Sequence, residues 1–553
     1  MPFWEKLAEG LIVILAAMLA VVMARPYAGG WNDGSRLATV ESLVDRHTWI
    51  IDHSIFVQPQ GANAPRSGAA PLPYSPQDKN LLEHGTQDKL FIDGHFYSDK
   101  SPVPAVLMAG CYQLWQWITG QTASRHPDRF CRAMTIASSG MAYIVAVWCL
   151  YRLGQRLRLS LASRLLLTLS FALATVALPY ARQVNNHILL LAVVSALALG
   201  IANLCPEARQ GQIGWRRFAA LGFLAGLGYT IDLGAGPVVL FCTFLLILCC
   251  SFSRQPKAST PLQLAAKQTA LFVLAALPWL ILHHVLNYAI GGSFKPANAH
   301  PEYFRWPGSP FAPENLTGNW IHPNIGSFLL YAASMLAGKR GFLGHNVPLF
   351  LTIPTLCILL RRHRDIRHEV LWALGCCAGT WLLYAATSNN SSGQCCTIRW
   401  FVPLLAPAYF VLALLLRHYP HYRLDLLILS GWGMLLVVWM REGPWLGGRV
   451  PFFWPIQAAA LGSWGLCHYL RRRNVPDSGL QLSPCRTPRR FRQVAVHKSL
   501  ARACSLRSRR RSFIRSMTAG ISTCVTALIG ANGNVPKPPD KTVSTGSCQT
   551  RIT

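Results

Sequence analysis

"FCRAMTIASSGMAYIVAVWCLYRLGQRL", residues 130–157, joins an apolar run to a row of arginines. Residues 131–151 supply the roughly 20 apolar positions that a helix needs to cross a hydrocarbon core. Arg152 and Arg156, continued by Arg158 and Arg164, mark the end that stays in the cytoplasm. Windows of the same kind recur at 8–25, 161–180, 186–204, 217–232, 236–252, 267–286, 346–361, 369–387, 400–417, 424–441 and 451–470. The expected fold is an all-α polytopic membrane protein of about 12 transmembrane helices.

Composition excludes a soluble enzyme. Of 553 residues, 52% are hydrophobic and 13% charged, too apolar and too long for one water-facing core. A formal charge of +30 would suggest a nucleic-acid partner in a soluble chain, but here the basic residues sit in short loops and in the stretch after Tyr469, where only Asp477 and Asp540 oppose them. No aromatic interleaving accompanies those arginines, and no nucleic-acid partner is expected. The 17 cysteines show no zinc-ligand spacing and read as small buried hydrophobes.

Loop charge sets the topology. The Arg152 cluster, Arg216 with Arg217, Arg254 with Lys257, "RRHRDIRH" from Arg361, and Arg471–Arg473 all fall on the cytoplasmic side if the apolar stretches 103–119 and 325–338 lie on the bilayer surface as interfacial helices. Both termini are then inside, and two large loops, 26–130 and 287–345, are outside. The membrane domain spans 1–470, and the basic tail 471–553 has the composition of a disordered cytoplasmic segment.

The first outer loop carries the informative residues. In "WNDGSRLATVESLVDRHTWIID" (31–52), Leu37, Val40, Leu43 and Val44 form the apolar side of an amphipathic helix begun by Asp33, Gly34 or Ser35. In "KLFIDGHFYSDKSPVPAVL" (89–107), charge is packed against two prolines that stop a helix and turn the chain onto the membrane. This order resembles the GT-C class of membrane glycosyltransferases, in particular the family of dolichyl-phosphate-mannose protein mannosyltransferases and bacterial lipid A aminoarabinose transferases. That family's Asp-Glu-x-Arg-Tyr-like start reads Asp33-Gly34-Ser35-Arg36-Leu37 here, and its Gly-x-x-Tyr-x-x-Lys-Pro-Pro-like stretch reads Gly94 to Pro102. Residues 130–157 resemble the family's arginine-led second span, and "NNSSGQCCTIRWFVPLLAP" (389–407) resembles a Gly-rich loop before a late span.

The resemblance implies transfer of a sugar from a polyprenyl-phosphate donor to a hydroxyl of a lipid, glycan or protein acceptor at the outer face of a multi-pass membrane protein, most simply in a bacterial plasma (inner) membrane. Asp33 is then the candidate base for the acceptor hydroxyl. Arg36, Tyr97 and Lys100 are candidates for the donor phosphate, with Asp99 holding Lys100. Asp232, Asn186, His187 and Arg399, polar residues at the margins of spans, are supporting candidates. Gly34 replaces the second acid of the family's pair, so no metal site is assigned, though a divalent cation stays open as a cofactor. Helix capping by Asp33 and headgroup anchoring by Arg36 and Lys100 remain the alternative readings. So do a transporter or flippase with Asp232 as a coupling residue, and a non-catalytic polyprenyl-phosphate binder. The Pro- and aromatic-rich stretch 287–324 suits stacking on a sugar.

The topology makes a direct prediction. In a cysteine-free background, a cysteine at position 95 is labelled by an impermeant thiol reagent from outside, and one at position 155 only from inside. Labelling of both from one side overturns the charge-based orientation.

Overall fold

The structure is a computed structural model that describes residues 3–58, 72–209, 214–252, 261–312, 316–393, 395–441, 443 and 450–473. The basic tail expected to be disordered lies outside the described residues.

Each apolar window falls on helix, but fewer helices than expected are long enough to cross a membrane unaided. Among the described residues, six pass on length and composition: Phe3–Met23, Pro127–Arg156, Ala265–Gly291, Arg364–Thr387, Arg399–His418 and Pro420–Trp439. A seventh span is formed if Ile325–His345 and Val347–Arg362, bent by 111° across Asn346, act as one. Leu161–Leu173, Asn186–Ile201 and Ala235–Ser251 are apolar but shorter. A 13-residue helix such as Leu161–Leu173 rises only about 20 Å against a core of about 30 Å. The 325–338 stretch, expected to lie on the bilayer surface, forms one arm of this bent pair. Cys205 and Cys250 also depart from expectation, since they form a disulfide.

The first outer loop folds as a compact cap with its own core, in which Leu37, Val40, Phe56, Tyr74, Tyr112 and Phe130 pack together. Its helix starts at Trp31, two residues before the earliest expected position, and runs to Asp45. It is enclosed rather than amphipathic, with every residue from Asn32 to Ser42 buried. Next comes an element not anticipated in an all-α chain. Strands Lys89–Ile92 and His95–Ser98 pair antiparallel, with Leu90 opposite Tyr97 and Ile92 opposite His95. Asp93 and Gly94 make the two-residue turn, both at positive φ (49° and 86°), the backbone that the twist of a tight hairpin demands and that Asp-Gly adopts cheaply. The buried strand residues Leu90 and Ile92 pack on Ala297 and Phe304 of the second outer loop.

After the hairpin, Pro102 does not turn the chain away from helix. It occupies the first turn of the helix Pro102–Thr119, where its missing N–H would have had no partner and its fixed φ is already helical. This helix is clasped to Trp31–Asp45 by a buried hydroxyl: Tyr112 donates to the Asp45 carboxylate (3.0 Å) and accepts from the Ala123 N–H (2.7 Å), while Gln116 donates to the same carboxylate (2.6 Å).

Tyr112→Phe keeps the ring but strands the buried Ala123 N–H, a loss of about 1–3 kcal/mol. Thermal unfolding in detergent should show a lowered midpoint for this variant. An unchanged midpoint means the clasp adds nothing to the cap.

Candidate functional site

One cavity of about 580 Å³ collects most of the polar residues singled out in the sequence. Arg36, Lys100, Asp99, Asn186, His187, Asp232 and Arg399 all line it. It lies where the Trp31–Asp45 helix, the residues after the hairpin, the second outer loop and one set of helix ends meet. Those ends are the start of Asn186–Ile201, the finish of Trp215–Ile231, the start of Ala235–Phe252, the finish of Arg367–Thr387 and the start of Arg399–His418. The arginine-rich loops are at the opposite ends of the same helices: Arg217 donates to the Gly200 carbonyl and Arg156 to the Ala202 carbonyl, at the far end of Asn186–Ile201.

A cationic cluster forms one wall. Lys100 Nζ lies 2.6 Å from both Asp99 Oδ2 and Asp88 Oδ2, so the expected partner Asp99 is joined by one the sequence reading missed. Asp88 sits twelve residues from Lys100 across the hairpin, and only the strand pairing brings them together. Burial works against charge on Asp88, but the Lys100 ammonium, with Arg399 and Arg36 behind it, outweighs burial and holds this carboxyl below the usual range. On Asp99 burial wins and raises the carboxyl, because Lys100 offsets it only in part and negative Asp88 adds to it. Arg36, 5% exposed, donates to the Asn32 carbonyl at 2.7 Å and to the Asn32 side chain. Burial lowers it to about 10, with Arg399 pushing the same way and Asp99 opposing, which leaves it charged at neutral pH. Three cations thus face two carboxylates.

The second wall is built on Asp232, at the break between Trp215–Ile231 and Ala235–Phe252. Its Oδ1 accepts from the N–H groups of Gly234 (2.9 Å) and Ala235 (3.0 Å), capping the next helix, and from the Tyr384 hydroxyl (2.9 Å). Its Oδ2 accepts from Asn186 Nδ2 (2.9 Å) and lies 2.8 Å from His187 Nδ1. Gly234 is required here, since a Cβ would overlap the Tyr384 hydroxyl. The Asn185-Asn186-His187 run divides its labour: Asn185 caps the helix by accepting from the His187 N–H (2.8 Å), and the next two side chains turn to Asp232. A π-helical turn at Ile136–Gly140 places Ser139 Oγ to accept from the Asn185 N–H (2.9 Å), which fixes where this helix begins. Tyr384 stacks on Trp400 with centroids 4.4 Å apart.

Two expected site residues are elsewhere. Tyr97 lines a second, small void with Thr39, Trp49, Ile290 and Lys100, the last of which lines the main cavity as well. Asp33 is 1% exposed and does not line the cavity. Its Oδ2 accepts from the Gly29 N–H at 2.6 Å, so the carboxylate folds back over the start of its own helix. Burial raises Asp33 to about 6, against the pull of that N–H and of Arg36. Gly34, in place of a second acid, also has a cause: a Cβ there would collide with the hydroxyl of Tyr74, which donates to the Phe56 carbonyl at 2.6 Å. The residues present do not fit a divalent cation. Among the described residues no group of three or more His, Cys, Asp or Glu converges, and the carboxylates Asp88 and Asp99 grip Lys100 instead.

The stretch expected to stack on a sugar contributes Pro296, Asn298, Phe304 and Phe311 to the cavity wall.

No protein-family model matches the chain, and no curated protein does. Solved structures do. The chain is similar to ArnT from Cupriavidus metallidurans bound to undecaprenyl phosphate, with 12% identity and a TM-score of 0.43 over 82% of this chain and 77% of that one. The apo state of the same protein gives 12% and 0.44 over 82% and 76%. The apo oligosaccharyltransferase of Archaeoglobus fulgidus gives 11% and 0.42 over 86% of this chain and 59% of that one. Both neighbours are of the GT-C class that the outer-loop motifs resemble.

The buried Asp33 carboxyl predicts a pH effect. Its affinity for protons is higher folded than unfolded, so its contribution to stability is fully present below about pH 4 and is lost as pH rises through about 6. Asp33→Asn keeps an oxygen for the Gly29 N–H and removes the buried charge. Unfolding measured against pH should show the parent losing stability relative to this variant between about pH 4 and 6, by on the order of 3 kcal/mol. Parallel pH curves for the two proteins would mean that Asp33 carries no such penalty.

Proposed function

We propose that the chain transfers a sugar from a polyprenyl-phosphate donor to an acceptor hydroxyl at the outer face of a membrane. The observation that carries this reading is the convergence of Arg36, Lys100 and Arg399 on one cavity, at the helix ends opposite the arginine-rich loops. A cavity of about 580 Å³ is in the range that holds a small ligand, and a sugar phosphate has that size. With the arginine-rich ends in the cytoplasm, the cavity opens outward, as it must for a carrier whose sugar hangs outside a bacterial inner membrane. The 12-span topology follows if the short helices cross as tilted or broken spans packed inside the bundle.

The chemistry assigns work to each wall. As the acceptor oxygen attacks C1, the bond from C1 to the phosphate oxygen breaks and negative charge grows on the lipid phosphate. Fixed cations lower the energy of that charge without having to reorganise. Arg36 offers a planar fork and Lys100 a compact ammonium whose third N–H is left over after Asp88 and Asp99. The facing loop supplies Phe304 and Phe311 as apolar surface for the sugar. A transporter reading needed Asp232 as a coupling group free to change partners. Its two backbone bonds and three side-chain neighbours favour a fixed wall instead.

Two measurements test the proposal on purified protein in lipid. A panel of undecaprenyl-phosphate sugars should include one that is consumed, by transfer or by hydrolysis. Lys100→Met should weaken binding of undecaprenyl phosphate about tenfold or more, the loss of one charge-assisted hydrogen bond. If no donor is turned over, sugar transfer is wrong. If the methionine variant binds the carrier as tightly as the parent, Lys100 serves only to hold Asp88 and Asp99.

A further inference from the structure

We infer that His187 is the general base that deprotonates the acceptor hydroxyl, with Asp232 as its positioning residue. The inference rests on the sugar-transfer reading and names the group that reading lacks, because Asp33 does not line the cavity. A base must lie on the cavity wall, present a lone pair there and tolerate the proton it takes. His187 lines the cavity and is 4% exposed. Its Nδ1 is 2.8 Å from Asp232 Oδ2, so the carboxylate selects the tautomer protonated at Nδ1 and leaves Nε2 as the bare nitrogen. The Nδ1–H is out of line with the oxygen, the loose geometry such pairs often show before substrate tightens them.

Asp232 is well suited to hold the ring. The Gly234 and Ala235 N–H groups, Tyr384 and Asn186 fix both carboxylate oxygens, so its direction is set by four bonds before His187 is counted. His187 is held from behind as well, through its own N–H to Asn185. The other carboxylates on the wall are spoken for, since Asp88 and Asp99 clamp Lys100 on the phosphate side.

The step balances. The hydroxyl proton passes to His187 Nε2, the freed oxygen pair forms the bond to C1, and the C1–O bond to the phosphate breaks with its pair leaving on the phosphate. The imidazolium so formed is neutralised across the ring by Asp232. The proton then passes to the departing phosphate or to water.

The experiment follows donor hydrolysis by the purified full-length protein, with water in the acceptor's place, and binding of undecaprenyl phosphate. His187→Gln should lower kcat about 100-fold or more and change carrier affinity less than about threefold, which also shows that the variant folds. His187→Ala should regain part of that rate with added imidazole, a rescue that a merely structural histidine would not give. Asp232→Asn should lower kcat comparably, because its amide faces Nδ1 with a donor and forces the other tautomer. A His187→Gln enzyme within about threefold of the parent in kcat overturns the assignment. Nitrogen NMR of histidine-labelled parent, with the His187 signal identified by its loss in the glutamine variant, decides independently of turnover. A bare Nε2 upholds the pair and a protonated Nε2 overturns it. A parent that turns over no donor sinks sugar transfer itself, and the spectrum still settles the state of the ring.

Discussion

The site depends on one buried carboxylate. A charge as deeply buried as Asp232 costs several kcal/mol unless its oxygens are hydrogen-bonded, and here the donors are the Gly234 and Ala235 N–H groups at the Ala235–Phe252 helix start, Tyr384 and Asn186, with His187 Nδ1 2.8 Å away. Asn186 and His187 share the start of Asn186–Ile201, and with the Ala235–Phe252 start and Tyr384 near the finish of Arg367–Thr387 three helix ends meet at Asp232, so satisfying it also registers those ends against each other. The wall is rigid for that reason. Loss of any one partner would leave part of a charge without compensation, and the surrounding helices would have to move to supply it.

The cap over the cavity solves a different problem, which is to hold three cations close together. Lys100 is placed by a chain of local constraints. Asp93 and Gly94 reverse the strand, the pairing brings Asp88 back beside Asp99, and Pro102 starts a helix at once, so the lysine has no slack on either side. The Ser35 and Ser98 hydroxyls, 2.6 Å apart, tie the end of the hairpin to the helix that carries Arg36. Two carboxylates beside one lysine temper the repulsion among Lys100, Arg36 and Arg399, so the cluster can exist with no ligand bound.

Much of this was legible in the sequence because it is local. Residues 93–106 held Asp99, Lys100 and the prolines within one short stretch, and the charge asymmetry of the loops pointed to the end of the bundle where the site lies. What failed to show was in part of longer range and in part local. Asp88 enters only through strand pairing, and the Asp93-Gly94 turn signal was present but was read as part of a charged loop. Hydropathy registers apolar composition over breaks such as Thr175–Val176, where the helix ending at Leu173 stops short of a membrane's width, so it does not tell one long helix from shorter pieces. Asp33 was placed in the site by its motif, while the direction of its side chain is set by Gly29, three-dimensional information that no spacing conveys.

Gly34 shows how the cap and the site constrain each other. A second acid beside Asp33 would need the space that Tyr74 fills, and Tyr74 is held there by its bond to the Phe56 carbonyl and its edge-to-face contact with the Phe56 ring, 5.9 Å between centroids. Packing of Tyr74 therefore leaves no room for a side chain at this position. With the pair reduced to Asp33, and Asp33 turned into the cap, anionic groups reach the cavity only where a cation or a histidine already faces them: Asp88 and Asp99 at Lys100, Asp232 at His187. Lys100 with its two carboxylates and His187 with Asp232 therefore line the cavity as two separate clusters of charge.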